Sequence, residues 1–385
     1  MLLQKKQQKT GQLIGVLCSL FVLMGCQTEK KTEIKNLSFQ KTTRNTLLVA
    51  TSDYQSGELV QIDLVAGHVN KSAIGIHSDA VVRSFFDDSF LFVVNRLGAD
   101  NIQWIRQNDH KDMGQFSVGK LSNPQDIAVV DENIAYVSRL ANNRLLKINP
   151  FTGETLKEID LFELSDPNTK ISSDSDGNPE MTWMKLWKGQ LLVLLQRLNS
   201  DEGYTPSNGS QLAVLDLKDD KVHKFVELGS PNPVTRLTEL NGNLVLGEAG
   251  ALGVLDGKIE VFDENLNAKR TISTEKQLGG DIIDCLLVNS NQGVAVVVKN
   301  VDGRKPQTRL VSFSIATGEI NSVLKDTENL SLHQLVADEE RKLFYLADRD
   351  PKTPGIWVFD SQTLKLFSDT KYDVGLPPYH MELIK

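Results

Sequence analysis

The chain has 385 residues, with 42 Lys and Arg against 50 Asp and Glu, a formal net charge of −8. That acidic balance argues against general nucleic-acid binding through a basic surface, while leaving room for a local basic patch. The only cysteines are Cys18, Cys26 and Cys285, too few for a disulfide framework once the first is removed with a leader.

At the N-terminus, Lys5, Lys6 and Lys9 precede an apolar run from Leu13 to Gly25. The run is short for a spanning helix, which needs about 20 apolar residues, and it reads as a signal peptide. It ends in Leu23-Met24-Gly25-Cys26, which resembles the lipobox of bacterial lipoproteins, with Met24 departing from the small residue usual at its position. The resemblance implies diacylglyceryl transfer to the Cys26 sulfur, cleavage before Cys26 and a palmitate-type anchor in the membrane. Gln27 rather than Asp follows the cysteine. By resemblance to enterobacterial lipoproteins this points to the outer membrane, the protein facing the periplasm or the cell surface. The plain alternative is an ordinary signal peptide with a chance cysteine. Removing residues 1–25 takes away three lysines and no acid, leaving 39 basic and 50 acidic residues, a net of −11. Residues 28–44 are polar, rich in Lys, Thr and Gln, and read as a flexible tether. The expected organisation is therefore residues 1–25 as signal peptide, 26–44 as lipidated cysteine and tether, and 45–385 as one folded domain.

From Asn45 onward one pattern recurs seven times: an apolar strand, a loop, an alternating strand often ending in Asp or Asn, a turn and a last short strand. The copies start at Leu47, Phe90, Ile134, Leu191, Leu244, Val294 and Leu343, spaced by 43, 44, 57, 53, 50 and 49 residues. Such a period with short strands signals an all-β, seven-bladed β-propeller, because one unit cannot bury both of its faces alone. A fourth, innermost strand precedes six of the copies: 80–86, 126–130, 181–187, 234–240, 281–288 and 333–337. The first copy has none before it, and the missing strand stands at the other end, in Tyr379 to Ile384. The C-terminus is thus expected to close the ring and remove an exposed sheet edge.

First-to-second and third-to-fourth connections are short and polar, as in Lys188-Gly189-Gln190 and Asn149 to Glu154, and belong to the bottom of the ring. The other connections vary widely: Phe162 to Pro179, Gln196 to Ser210, Asn300 to Gln307 and Asp348 to Pro354. Long loops on a rigid scaffold are where binding or catalysis usually sits, although surface loops also drift neutrally.

The copies Phe92-Val93-Val94-Asn95, Tyr136-Val137-Ser138-Arg139 and Tyr345-Leu346-Ala347-Asp348 resemble the YVTN-type, YncE-like seven-bladed propellers, as do Asn149 to Glu154 and Val358-Phe359-Asp360. The resemblance covers nearly the whole mature chain with no perfect copy. It implies either a binding protein or a lactonase-like enzyme.

Aligning the inner strands by their turns places Asp126, Trp183, Arg236, Asp284 and His333 at similar depth, with His380 near that level from the closing strand. Asp126, Arg236, Asp284, His333 and His380 are the candidate channel residues. A mixed ring of this kind suits a metal or carboxylate ligand or acid–base groups; equally, polar residues simply solvate a water-filled channel. Asp174, Asp176, Asn178 and Glu180 alternate oxygen ligands around Gly177 in a calcium-like manner, but Trp183 stands where an EF-hand requires Glu. Trp183 and Trp187 share a strand face and suggest core packing. There is no H-E-x-x-H, G-x-S-x-G or Walker loop, and Gly247, Gly250 and Gly253 fit a turn-rich blade rather than a dinucleotide site.

The reading is an envelope-anchored binding or scaffold module presenting its top-face loops to a protein, glycan or small ligand, with no cofactor required and calcium or another divalent metal as a lesser option. The alternatives are a lactonase-like hydrolase using the channel, and a surface adhesin.

Overall fold

A computed structural model of the protein describes residues 45–85, 89–107, 109–161, 176–206, 209–299 and 305–384. Cys26, the leader, the tether and Asp174 lie outside the described residues. Among the described residues seven blade sheets follow one another along the chain, and an eighth, two-stranded sheet pairs Leu198–Asn199 with Thr205–Pro206 in a loop of blade 4. Blade 1 pairs Pro378–Ile384 with Thr46–Ser52 and continues through Gly57–Asp63 and His68–Ile76. The inner strands of blades 2 to 7 are Ala80–Phe85, Pro124–Val129, Met181–Trp187, Thr238–Leu240, Asp281–Leu287 and Leu332–Asp338. The protein is an all-β, seven-bladed propeller closed by its C-terminal strand.

The second strands explain why the repeat is so visible. Phe90–Asn95 is buried at every position, because a blade has a neighbour on both faces. Period-two alternation then assigns each side chain to one neighbour. In blade 1, Leu47 and Val49 pack with Val336, Tyr345 and Val358 of blade 7. Leu48, between them, packs with Val82, Leu91 and Val93 of blade 2. Each such leucine contributes about 1.5–3 kcal/mol on burial. The junction of blades 2 and 3 is aromatic instead: Phe151 lies edge-on to Phe90 and Trp104, with centroids 5.1 and 5.0 Å away. Outermost strands face solvent, as in the largely exposed Thr155–Asp160.

Bottom turns obey one chemistry. Asn149 Oδ1 accepts the N–H groups of Phe151 and Thr152 at 3.1 and 3.0 Å. Asp63 and Asp360 do the same in blades 1 and 7. Gly153 completes its turn at φ +72°, where a Cβ would also strike the Phe116 ring.

Two blades depart from the repeat. In blade 5 regular inner-strand pairing covers only Thr238–Leu240, rather than starting at Val234. Pro233 makes an isolated bridge to Glu248, and Thr235 Oγ1, not a carbonyl, accepts the Gly247 N–H at 2.8 Å. Pro231 and Pro233 supply no N–H, so a regular ladder cannot form there. Blade 7 has three regular strands, Leu332–Asp338, Leu343–Asp348 and Gly355–Asp360; its fourth is reduced to the bridges Ile356–Tyr372 and Phe359–Leu366.

Candidate functional site in the central channel

Inner strands line the channel, and in five blades they carry an irregularity in pairing at about the same height: at Pro124/Asp126, Met181/Met184, Ile282/Asp284, Leu332/Leu335 and opposite Ala50/Thr51. Bulges free backbone N–H groups and re-aim side chains. Backbone N–H groups of four inner strands, three of them irregular and that of blade 2 regular, are taken up by side chains of a preceding blade. Asp126 of blade 3 accepts the Met184 N–H of blade 4 at 2.9 Å. Asp284 of blade 6 accepts the Leu335 N–H of blade 7 at 2.8 Å. Gln334 of blade 7 accepts the Met381 N–H of the closing strand at 2.5 Å, and His380 of that strand accepts the Val82 N–H of blade 2 through Nδ1 at 3.3 Å. Trp183 of blade 4 donates Nε1–H to the Val234 carbonyl of blade 5 at 3.0 Å. Polar side chains of the inner ring thus staple one blade to the next.

Asp126 is fully engaged. Besides Met184 it accepts its neighbour Ile127 N–H, and Arg83 grips both oxygens, Nε to Oδ1 at 2.8 Å and Nη2 to Oδ2 at 3.0 Å. Arg83 also reaches Glu382 Oε2 at 3.0 Å, which Arg236 shares at 3.4 Å. Burial works against the Arg83 charge, but Asp126 and Glu382 outweigh it and raise its pKa. Arg236 is shifted the other way, by burial and then by Arg83. Asp284 Oδ1 accepts the Cys285 N–H at 2.9 Å; burial pushes its carboxyl up to about 6, against the pull of Arg236.

The Arg83–Glu382–Arg236 bridge forms a waist between two spaces. Below it a chamber of about 660 Å³ is lined by Arg83, Lys185, Glu239, Glu339 and Glu382. Above it a smaller cavity of about 100 Å³ is lined by Arg96, Trp183, Arg236, Asp284, His333, Tyr379 and His380. Trp183 stacks on His380 with centroids 5.9 Å apart and also packs against the core between blades 4 and 5. It therefore serves the cavity as well as the core, whereas Trp187 is buried in that core. His333 lies against Tyr379 with centroids 6.5 Å apart; burial, then Arg349 and Arg96, lower its pKa to about 3. His380 is held well below its ordinary value by burial, then by Arg236 and Arg83. Arg349 stands 3.7 Å over the Tyr379 ring and donates to the Tyr54 hydroxyl at 2.8 Å.

Of the five candidate channel residues, Arg236, Asp284, His333 and His380 line the upper cavity, whereas Asp126 is buried behind Arg83 and lines neither space. His333 does not make the staple of its blade, which its neighbour Gln334 does. Arg83, Gln334 and Glu382 were not singled out from sequence. An arginine inside the apolar strand Ala80–Phe85 is the signal by which Arg83, and the need for an acidic partner, could have been found; Gln334 carries no such mark. The calcium-like run acts as a brace. Asp176 Oδ2 accepts the Ser200 N–H at 2.8 Å, Glu180 Oε2 accepts the Leu198 N–H at 2.8 Å, and Asn178 donates to the Leu140 carbonyl at 2.8 Å. Among the described residues, no group of three or more His, Cys, Asp or Glu is placed to hold a metal ion. Cys285 is a buried free thiol whose pKa is raised by burial.

No protein-family model matches the chain, and no curated protein sequence matches it. Solved structures do. A protein of Bacteroides fragilis NCTC 9343 provisionally assigned as a 6-phosphogluconolactonase aligns over 88% of this chain and 97% of its own, with a TM-score of 0.59 and 12% identity. The dihydro-heme d1 dehydrogenase NirN, in complex with DHE, aligns over 90% of this chain and 76% of its own at a TM-score of 0.54 and 12% identity. A functionally unknown protein from Desulfotomaculum acetoxidans DSM 771 aligns over 88% and 98%, at 0.55 and 10%. At such identities these likenesses establish a shared propeller fold and nothing of activity.

Proposed function

We propose that this protein is a non-enzymatic binding module, held at the envelope by a lipid on Cys26, that receives its partner on the top face of the propeller. The observation that carries this reading is where the exposed apolar side chains stand. Tyr54, Leu97, Leu121, Tyr204, Leu252, Val254 and Leu330 all lie on top connections, around a mouth that carries Arg96 and Arg349. Towards the bottom, Val65 and Phe367, just past the Asp360 turn, are the comparable ones among the described residues. Single exposed apolar residues are ordinary, but their concentration on one elaborated face fits a contact surface with a protein or glycan.

The hydrolase alternative would need a free carboxylate in the channel. Asp126 and Asp284, the two acids it called on, both accept hydrogen bonds on each oxygen. The YVTN-type kinship and the outer-membrane location belong to this proposal, as does the absence of a required cofactor. The test compares affinity capture from native membranes by the wild-type chain and by a Leu121→Ser, Leu252→Ser double variant. The reading expects a partner retained by the first and lost by the second, with Cys26→Ala shifting the protein to the soluble fraction. Equal capture by both forms would refute the top-face assignment.

A further inference from the structure

We infer that the upper cavity is a binding site for a small carboxylate, anchored by the Nε2–H of His380 and the guanidinium of Arg236. The tautomer of His380 is set by the hydrogen bond at its Nδ1. His380 Nδ1 accepts the Val82 N–H, so Nδ1 carries no proton and the ring is neutral. A neutral ring with a bare Nδ1 carries its proton on Nε2. That Nε2–H belongs to a side chain only 3% exposed, and it has no hydrogen-bond partner in the protein. A buried donor without an acceptor is costly, and in a roomy polar cavity it calls for an oxygen from outside the chain.

Other cavity groups narrow the acceptor. Trp183 Nε1, both oxygens of Asp284 and the amide of Gln334 already have partners. Arg236 does not have enough. Only its Nη1 bonds, at 3.3 Å to the Met381 carbonyl and 3.4 Å to a Glu382 oxygen that Arg83 holds more closely. Arg236 lines the upper cavity as well as the chamber below, and planar guanidinium donors match a carboxylate two-pronged. Arg349, with no ion-pair partner among the described residues, adds positive charge at the mouth, and Trp183 and Tyr379 offer apolar walls. About 100 Å³ of space, where a single water requires roughly 10–15 Å³, suits a carboxylate of a few carbons rather than a sugar. The inference is independent of the rim and holds whether or not the top face also meets a macromolecule.

The test uses the full-length chain in detergent, labelled with ¹⁵N-histidine, with acetate and pyruvate as probes and acetamide as the uncharged control. Titration is followed by calorimetry and by the His380 ring signals, assigned through His380→Gln. The expected result is a downfield move of the Nε2–H resonance with either carboxylate, no move at exposed His223, little binding of acetamide, and Arg236→Gln weakening acetate by about tenfold or more. The wild-type shift stands even if a variant fails to fold. An unchanged His380 signal with both carboxylates, or acetamide bound as well as acetate, would overturn the proposal.

Discussion

The two ends of each blade use the same polar residue types to opposite ends. At the bottom and around the waist, side chains close on the protein itself: Asn149 caps its turn, and Asp126 ties Arg83, its own strand and the next blade together. At the top, loops of unequal length leave apolar side chains in water and one histidine nitrogen without a partner. The difference teaches where polar groups are structure and where they are left for something else. A polar ring in a channel is not by itself a reactive site. What matters is which donors and acceptors remain after the fold has used its own.

The contrast breaks first at the waist. Asp126→Ala leaves the buried Arg83 short of its bidentate partner and the Met184 N–H without an acceptor, so a loss of about 3–5 kcal/mol is expected in urea unfolding. A loss below 1 kcal/mol would mean that the staple is ornamental. Next comes pH. Glu248 is wholly buried with neither oxygen in a hydrogen bond, and burial, then the Glu260 carboxylate, push it up to about 9. Glu275 is pushed up to about 7, chiefly by burial. Folded values above unfolded ones mean that this contribution is whole below the ordinary glutamate range and declines as pH rises through about 7 and then 9. Stability should therefore fall between about pH 5 and pH 9, by up to about 1.4 kcal/mol per unit for each group titrating. Glu248→Gln should flatten the upper part of that slope; thermal melts across the range decide it. The bottom turn follows, where Gly153→Ala forces a Cβ at positive φ against Phe116 and should cost about 1–2 kcal/mol. Leu252→Ser on the top face, 77% exposed, should change stability by less than about 0.5 kcal/mol.

Much of the architecture was legible because each second strand is buried on both faces and repeats at a steady interval. The closing strand was legible for a related reason: Tyr379 to Ile384 is a strand with no turn partner of its own. The channel was less legible. Bulges near Leu332/Leu335 and Ile282/Asp284 shift which side chain points inward and to whom it bonds. An alignment by depth therefore selects His333 and passes over Gln334. Arg83 and Glu382 were hidden for another reason, since their pairing joins residues 299 apart that only ring closure brings together. The short inner strand of blade 5 could have been suspected from Pro231 and Pro233, which cannot donate to a ladder.

The central claim is that the top face, not the bottom, is where this protein meets its partner. The most direct measurement places a photo-cross-linking residue at Leu252 on the top and at Val65 on the bottom, in cells carrying the full-length chain. The account predicts a discrete adduct from position 252 and none from position 65. Adducts from position 65 alone, or from both positions equally, would contradict it.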